Sequence, residues 1–297
     1  MHRRTFITAT AATAAVGVLE PRTVFSTDKP KVVIAKNTDY RELVRETIAR
    51  LGGMSKFVKS RDNVVLKPNI SWDRSPELGA NTNPTVVTTL IELILEADAR
   101  SVLVFDRPCN DPRMSYLNSG IGPAVEDVND RRVRLIHVED RHYANTKIPK
   151  AKALKEWLIH RDALQADCII NVPIAKHHGL TQLTLGLKNN MGFLGGNRGR
   201  IHMSISQNLA DLATILPTKL TVIDATRIML RHGPQGGSLD DLKILHTLVA
   251  SADPVATDAM ATTLFDKPPD AIESTVKAHN MGLGEIDPEK MNIIRLG

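Results

Sequence analysis

Along the chain, short continuous apolar runs alternate with stretches whose apolar positions recur at helical spacing. Residues 31–35, 63–67, 101–105, 133–138, 168–172, 220–223 and 244–250 read as strands, each a run of aliphatic side chains bounded by polar or turn-forming residues. Between them lie helices. From residue 40 to 51, Leu43, Val44, Ile48 and Leu51 share one stripe, and Gly52-Gly53 stops the helix. A second helix opens at Pro84, capped by Thr82 or Asn83, and runs through Val86, Val87, Leu90, Ile91 and Ile94. Further helices are predicted over 206–216, 253–264 (with Asp253 as its N-cap) and 270–279. Strands apolar on both faces, separated by helices, define an α/β fold: a mainly parallel sheet with helices on both faces.

In such sheets ligands bind beyond the carboxyl ends of the strands. Here those ends carry Lys67 and Asn69, Asp106, Asn171 and Asp224. One segment adds to this rim more than any other. From Ile169 the chain reads IINVPIAKHHGLTQLTLGLKNNMGFLGGNRGRIHM, and the 27 positions from 176 to 202 hold seven Lys, Arg or His residues and no Asp or Glu. Glycines allow backbone N–H groups to approach a ligand, and the lysines and arginines favour an anion. The histidines suit metal ligation or proton transfer near neutral pH. The spacing matches neither a P-loop nor a dinucleotide fingerprint.

From the residues alone, His178 and His202 are candidates for metal ligation or acid–base work and Lys188 for holding an anion or cofactor. Lys67, Asn69, Asn83, Lys176, Asn189 and Asp224 are nominated for holding a cofactor or substrate. If a helix begins near Leu180, His178 stands at its entry and Lys188 near its end, ~15 Å further along the axis. The expectation is one elongated pocket lined by His178, Lys188 and His202, with Asn69 and Asp224 on the opposite wall. Asp258, one turn into the helix that Asp253 caps, is expected to reach toward it.

Composition narrows the ligand. The net charge is +5, and aromatic residues make up 4% of the chain. A protein that stacks nucleic-acid bases carries more of them. A small anionic molecule is the expected partner, and nucleic acid is not. The two cysteines, Cys109 and Cys168, cannot hold an intrinsic four-cysteine iron–sulfur cluster. Cys168 opens an apolar strand, so both thiols are expected to be free.

The N-terminus carries Arg3-Arg4-Thr5-Phe6-Ile7 before a short, mildly apolar run ending at Pro21. This resembles a twin-arginine export signal, with a small-residue cleavage site around Val24-Phe25-Ser26. Residues 1–26 are therefore read as signal peptide, and 27–297 as a single α/β domain with a soft boundary near 141–155. That route carries folded proteins to the periplasm or the extracellular space, and no later segment approaches a transmembrane length.

Lys67-Pro68-Asn69, Asn83-Pro84, the run Ile170-Asn171-Val172-Pro173 leading to Lys176 and His178, and Leu187-Lys188-Asn189 occur in that order. Asp224, Gly233-Pro234-Gln235-Gly236 and Ala252-Asp253-Pro254-Val255-Ala256 with Asp258 follow. In this order they resemble the family catalogued as domain of unknown function 362, over residues 63–264. The resemblance implies an α/β fold and a site at these motifs without naming a reaction. Some relatives are described as iron–sulfur proteins with an appended ferredoxin-like module, which implies for this chain a ferredoxin-like redox partner. A second similarity, to nickel-pincer lactate racemases, rests on His178, Lys188 and His202 preceded by Thr82-Asn83-Pro84. It implies a lysine that holds a pyridinium-derived cofactor and histidines that ligate nickel or act as acid and base. This similarity ranks His178, Lys188 and His202 as the catalytic set. Asn83 stands where that family has an arginine. A transition metal or a nickel-pincer-like cofactor is the occupant so implied. A non-catalytic periplasmic protein that binds an anion, or serves metal or iron–sulfur proteins as an accessory, is the alternative to an enzyme.

Overall fold

The computed structural model describes residues 29–297; the twin-arginine motif and its cleavage site lie outside the described residues. Aliphatic runs form the strands Lys31–Lys36 (β1), Asn63–Pro68 (β2), Ser101–Val104 (β3), Val133–Leu135 (β4), Tyr143–Lys147 (β5) and Glu156–His160 (β6). Cys168–Val172 (β7), Ile174–His178 (β8), Gln182–Thr184 (β9), Thr218–Met229 (β10), Leu242–Ser251 (β11) and Asn292–Leu296 (β12) follow. The main sheet runs β12-β1-β11-β10-β7-β2-β3-β4. Its pairs are parallel except those of β11, which is antiparallel to both β1 and β10. β8 continues the parallel pairing along β10, and β9 folds back against β8. The protein is thus an α/β fold with a large, mostly parallel sheet.

The helices are Tyr40–Leu51 (α1), Pro84–Glu96 (α2), Pro112–Asn118 (α3), Ile121–Glu126 (α4), Arg161–Gln165 (α5), Gly186–Asn189 (α6), Ile205–Ala213 (α7), Pro254–Thr262 (α8) and Glu273–Asn280 (α9). Strand residues alternate between two faces. Val64, Leu66, Val102, Val104 and Ile170 pack with the buried stripes of α1 and α2. Val65, Leu103 and Ile169 face the other way, against Leu209 and Leu212 of α7. Each fully buried aliphatic side chain contributes about 1.5–3 kcal/mol of transfer free energy, which pins the strand register.

Capping follows the chemistry of the sequence. Asp39 accepts from the N–H groups of Arg41 and Glu42, and Gly52 closes α1 at φ 112°. The Asn83 side chain accepts from Thr85 N–H at 2.9 Å, and Asp253 caps α8.

Two expectations are corrected. No helix begins near Leu180: β8 and β9 form a hairpin, with Lys176 opposite Thr184 and His178 opposite Gln182. The reason is legible in retrospect. Leu183, Leu185 and Leu187 recur every second residue beside β-branched Thr181 and Thr184, which is strand chemistry. Helix appears only at α6, so Lys188 sits on a four-residue turn. The strand foreseen over 133–138 ends at Leu135. The stretch 141–155 forms part of a separate two-stranded sheet, β5-β6, and its Ile148, Ala151 and Leu154 pack into the second core cluster.

Candidate functional site

The carboxyl ends of β2, β3 and β7 meet α6 in a buried polar network. Lys67 and Asp106, each 1% exposed, form an ion pair at 2.8 Å. The Lys67 ammonium also donates to Pro68 O at 2.8 Å and to Asn189 Oδ1 at 3.0 Å. Burial pulls the Lys67 pKa down, and Asp106 opposes that pull. The second Asp106 oxygen accepts from Ile70 N–H at 2.7 Å, which fixes the loop after β2.

Asn189 is the hub of this network. Its Oδ1 also accepts from Asn69 Nδ2 at 3.0 Å, while its Nδ2 donates to Asn171 Oδ1 at 2.8 Å. Asn171 in turn donates to Gly186 O at 2.9 Å. Gly192 closes over the ion pair, where a Cβ would overlap Asp106 Oδ1 and the end of Lys67.

Asp258 positions α6. Buried on α8, it accepts from Gly186 N–H at 2.7 Å and Leu187 N–H at 3.0 Å, two of the free donors of the first turn. Burial pushes its pKa up to about 7 against those two hydrogen bonds. A Cβ on residue 186 would stand 2.7 Å from its carboxylate, so glycine is required there.

The strand alternation of β8 separates the three basic residues that the sequence sets side by side. Lys176 and His178 point into one cavity, whereas His177 Nδ1 accepts from Gly233 N–H at 3.1 Å. Lys176 is 1% exposed and lies beyond ion-pair distance of any carboxylate among the described residues. It donates to Asn69 Oδ1 at 3.1 Å and to Ala80 O. Burial lowers its pKa to about 7. Among the described residues Lys188 reaches only Met191 Sδ, at 3.0 Å, and burial together with Arg198 lowers its pKa to about 8.

His178 Nδ1 accepts from Leu180 N–H at 3.1 Å and Thr181 N–H at 3.4 Å, which puts the proton of the neutral ring on Nε2. Burial, then Lys188, holds its pKa down at about 3. His202 has the opposite tautomer. Its Nδ1 donates to Gly199 O at 2.9 Å, leaving a lone pair on Nε2.

These groups share a cavity of about 740 Å³. Lys67, Asn69, Lys176, His178, Lys188, Asn189 and His202 all line it, so the structure brings together seven of the nine residues nominated from the sequence. Asp224 and Asn83 do not belong to it. Asp224 is fully buried, accepting from Asn83 N–H at 2.7 Å and from Thr226 Oγ1 at 2.7 Å. The pair ties the start of α2 to β10 and does not form the opposite wall. Asp258 likewise reaches α6 without opening onto the cavity.

The lining residues not nominated include Asp106, Arg107, Cys109 and Arg198. Arg198 donates to Arg107 O at 2.6 Å and to Cys109 Sγ at 3.2 Å. Cys109 is an exposed free thiol, and Cys168 is buried and free. The available signal was position, since Asp106 ends a strand and Cys109 follows three residues later. The cavity is lined by five lysines and arginines and by a single carboxylate, that of Asp106.

Among the described residues no three His, Cys, Asp or Glu side chains converge to hold a metal ion. His178 spends Nδ1 on the backbone and carries its proton on Nε2, and a protonated nitrogen is not a ligand. The donor set around His178 and His202 therefore does not fit a metal held by protein side chains alone.

A mostly parallel α/β sheet with a basic cavity at its strand ends is the class of protein this describes. The chain belongs to the family described as Domain of unknown function (DUF362), which matches residues 64–263. The thylakoid-associated protein sll1697 of Synechocystis is 25% identical over 248 residues, covering 81% of this chain and 74% of that protein. Among solved structures, a Thermotoga maritima protein aligns with a TM-score of 0.44 and 12% identity over 77% of this chain. The lactate racemase apoprotein of Thermoanaerobacterium thermosaccharolyticum aligns with a TM-score of 0.46 and 9% identity over 75% of this chain. The chain spans 59% and 54% of those two structures' lengths. Among the described residues no helix is long and apolar enough to cross a membrane.

Proposed function

We propose that this protein is an exported enzyme that moves a proton on a small carboxylate- or phosphate-bearing substrate held in the strand-end cavity. The observation that carries this reading is that Lys188 and Arg198 face one cavity, beside the buried amine of Lys176, with no carboxylate among the described residues to pair with them. Cations partly withdrawn from water favour a counter-charge, and a substrate anion supplies it.

In this reading Lys188 and Arg198 clamp the anionic group. The His178 Nε2–H, on a ring kept neutral by burial, donates to the oxygen on which charge develops, as neutral imidazoles do in enolising enzymes. Lys176 is the base. As a neutral amine it gives its two N–H groups to Asn69 Oδ1 and Ala80 O and keeps a lone pair for the substrate. A pKa of about 7 suits that task near neutral pH. His202, with its free Nε2, relays the proton to solvent. An anion clamp, an oxyanion donor and a base constitute the parts for proton abstraction next to a carbonyl.

The test is deuterium uptake from D2O at C2 of small 2-hydroxy acids and at C3 of small 2-keto acids, followed by proton NMR. Exchange is expected to be abolished by Lys176→Met. Its rate rises as pH passes about 7, where Lys176 loses its proton, and falls beyond about 8, where Lys188 loses its charge. These two apparent values belong to the coupled pair of amines. Absence of exchange across the panel, with anion binding intact, would instead assign the cavity to a non-catalytic anion-binding protein.

A further inference from the structure

The lining of the strand-end cavity is graded with depth. At its floor stand charged and polar groups on the strand ends and α6: Lys67, Asp106 and Lys176, each 1% exposed, with Asn189 at 3%. At its mouth the loops after β2, β3 and β10 and the tip of the β8–β9 hairpin present Trp72, Pro108, Pro234 and Leu180. Leu180 is 71% exposed. A lone exposed leucine is ordinary. Four apolar residues from four separate loops, meeting at one opening above a cationic floor, make a surface shaped for a ligand.

Two of the four are fixed to the site itself. Asn81, 2% exposed, clasps the backbone of Trp72: its Oδ1 accepts from Trp72 N–H at 3.0 Å and its Nδ2 donates to Trp72 O at 2.8 Å. The neighbouring Ser71 O accepts from Cys109 N–H at 2.8 Å, which joins the loops after β2 and β3. Leu180 N–H donates to His178 Nδ1 at 3.1 Å, so the leucine is carried by the residue proposed as oxyanion donor. A wall held this firmly loses little freedom when a ligand packs on it. The cavity of about 740 Å³ lies within the roughly 300–1,000 Å³ that holds ligands of drug size, and a three-carbon acid fills only a small part of it. We propose that the substrate is an anion with an apolar body, such as an aryl-substituted 2-hydroxy or 2-keto acid. Its carboxylate is held by Lys188 and Arg198, and its ring packs against Trp72 and Leu180 at the mouth. Trp72 and Leu180 are then the specificity-determining residues. The inference rests on the anion clamp proposed above and not on the proton transfer.

The experiment is isothermal titration calorimetry of the full chain with propanoate and 3-phenylpropanoate, in competition with sulfate where binding is weak. The two acids share a carboxylate and differ by the ring. Neither carries a hydroxyl or keto group, so binding is read apart from turnover. The ring is expected to tighten binding at least about tenfold, and sulfate to displace both acids. Leu180→Ser, a change at an exposed hairpin tip that leaves the core untouched, and Trp72→Ala should each shrink that ratio. Lys188→Met should weaken both acids. The proposal is overturned if sulfate binds but the ring adds nothing, if 3-phenylpropanoate binds undisturbed by sulfate and by Lys188→Met, or if both mouth variants keep the full ratio. Failure of every anion to bind, sulfate included, would remove the clamp and this proposal together. Absence of deuterium exchange with the ratio intact would overturn the proton transfer alone and support this assignment.

Discussion

Two neighbouring parts of the strand-end rim bury lysines in opposite ways. On the β2–β3 side, Lys67 meets Asp106 at 2.8 Å and is further tied to Pro68 O and Asn189. On the β8–α6 side, Lys176 and Lys188 are withdrawn from water with no carboxylate beside them, and their pKa values fall to about 7 and about 8. The first arrangement is complete within the protein and acts as a rivet for the loop after β2. The second is incomplete until something anionic arrives. Withdrawing the same side chain from water thus serves architecture in one place and recognition in the other.

The largest effects should separate the two. Asp106→Asn strands a buried ammonium and releases Ile70 N–H, so urea unfolding should show a loss of about 3–5 kcal/mol. Lys188→Met removes an unpaired charge from a buried setting, and stability should hold or rise. If the two variants are equally destabilised, the distinction between rivet and recognition site is wrong.

A smaller effect is expected one step away. Asp258→Asn keeps the shape but sets an amide against the N–H groups of Gly186 and Leu187, of which it can accept fewer. Stability should fall by about 1–3 kcal/mol, and α6 should carry Lys188 less firmly. Weakened anion binding alongside that modest loss marks Asp258 as a positioning residue. Unchanged anion binding would limit it to a structural role.

Local chemistry made much of the fold readable. The Asn83-Pro84 and Asp253-Pro254 starts, the Gly52 stop of α1 and the doubly apolar strands all act within a few residues of themselves. The β8–β9 hairpin was not read, because a run with leucines at 180, 183, 185 and 187 satisfies helical and strand spacing in turn, and pairing with β10 decides between them. The basic crowd from 176 to 202 drew attention to Lys176, His178, Lys188 and His202. What it could not show was that strand alternation turns His177 away. Asp224 and Asp258 look alike in sequence, polar residues near strand and helix ends, yet each spends its carboxylate on backbone N–H groups. Only the three-dimensional network distinguishes them from Asp106, which faces the cavity. Cys109 carries no local signal of the site, because nothing near it in the sequence ties it to Arg198, 89 positions away.

The central claim is that neutral or half-neutral amines in the cavity await an anion. Bound negative charge raises the pKa of the clamping Lys188, so binding at pH 8 must draw protons from solution, and affinity must weaken as pH rises through about 8. Sulfate, which does not titrate in this range, isolates the protein's own protons. Calorimetric titration of sulfate at pH 8 in two buffers of different ionisation enthalpy measures the uptake directly. The account predicts net proton uptake that shrinks in Lys188→Met; sulfate binding with no proton exchange, or no binding at all, would contradict it.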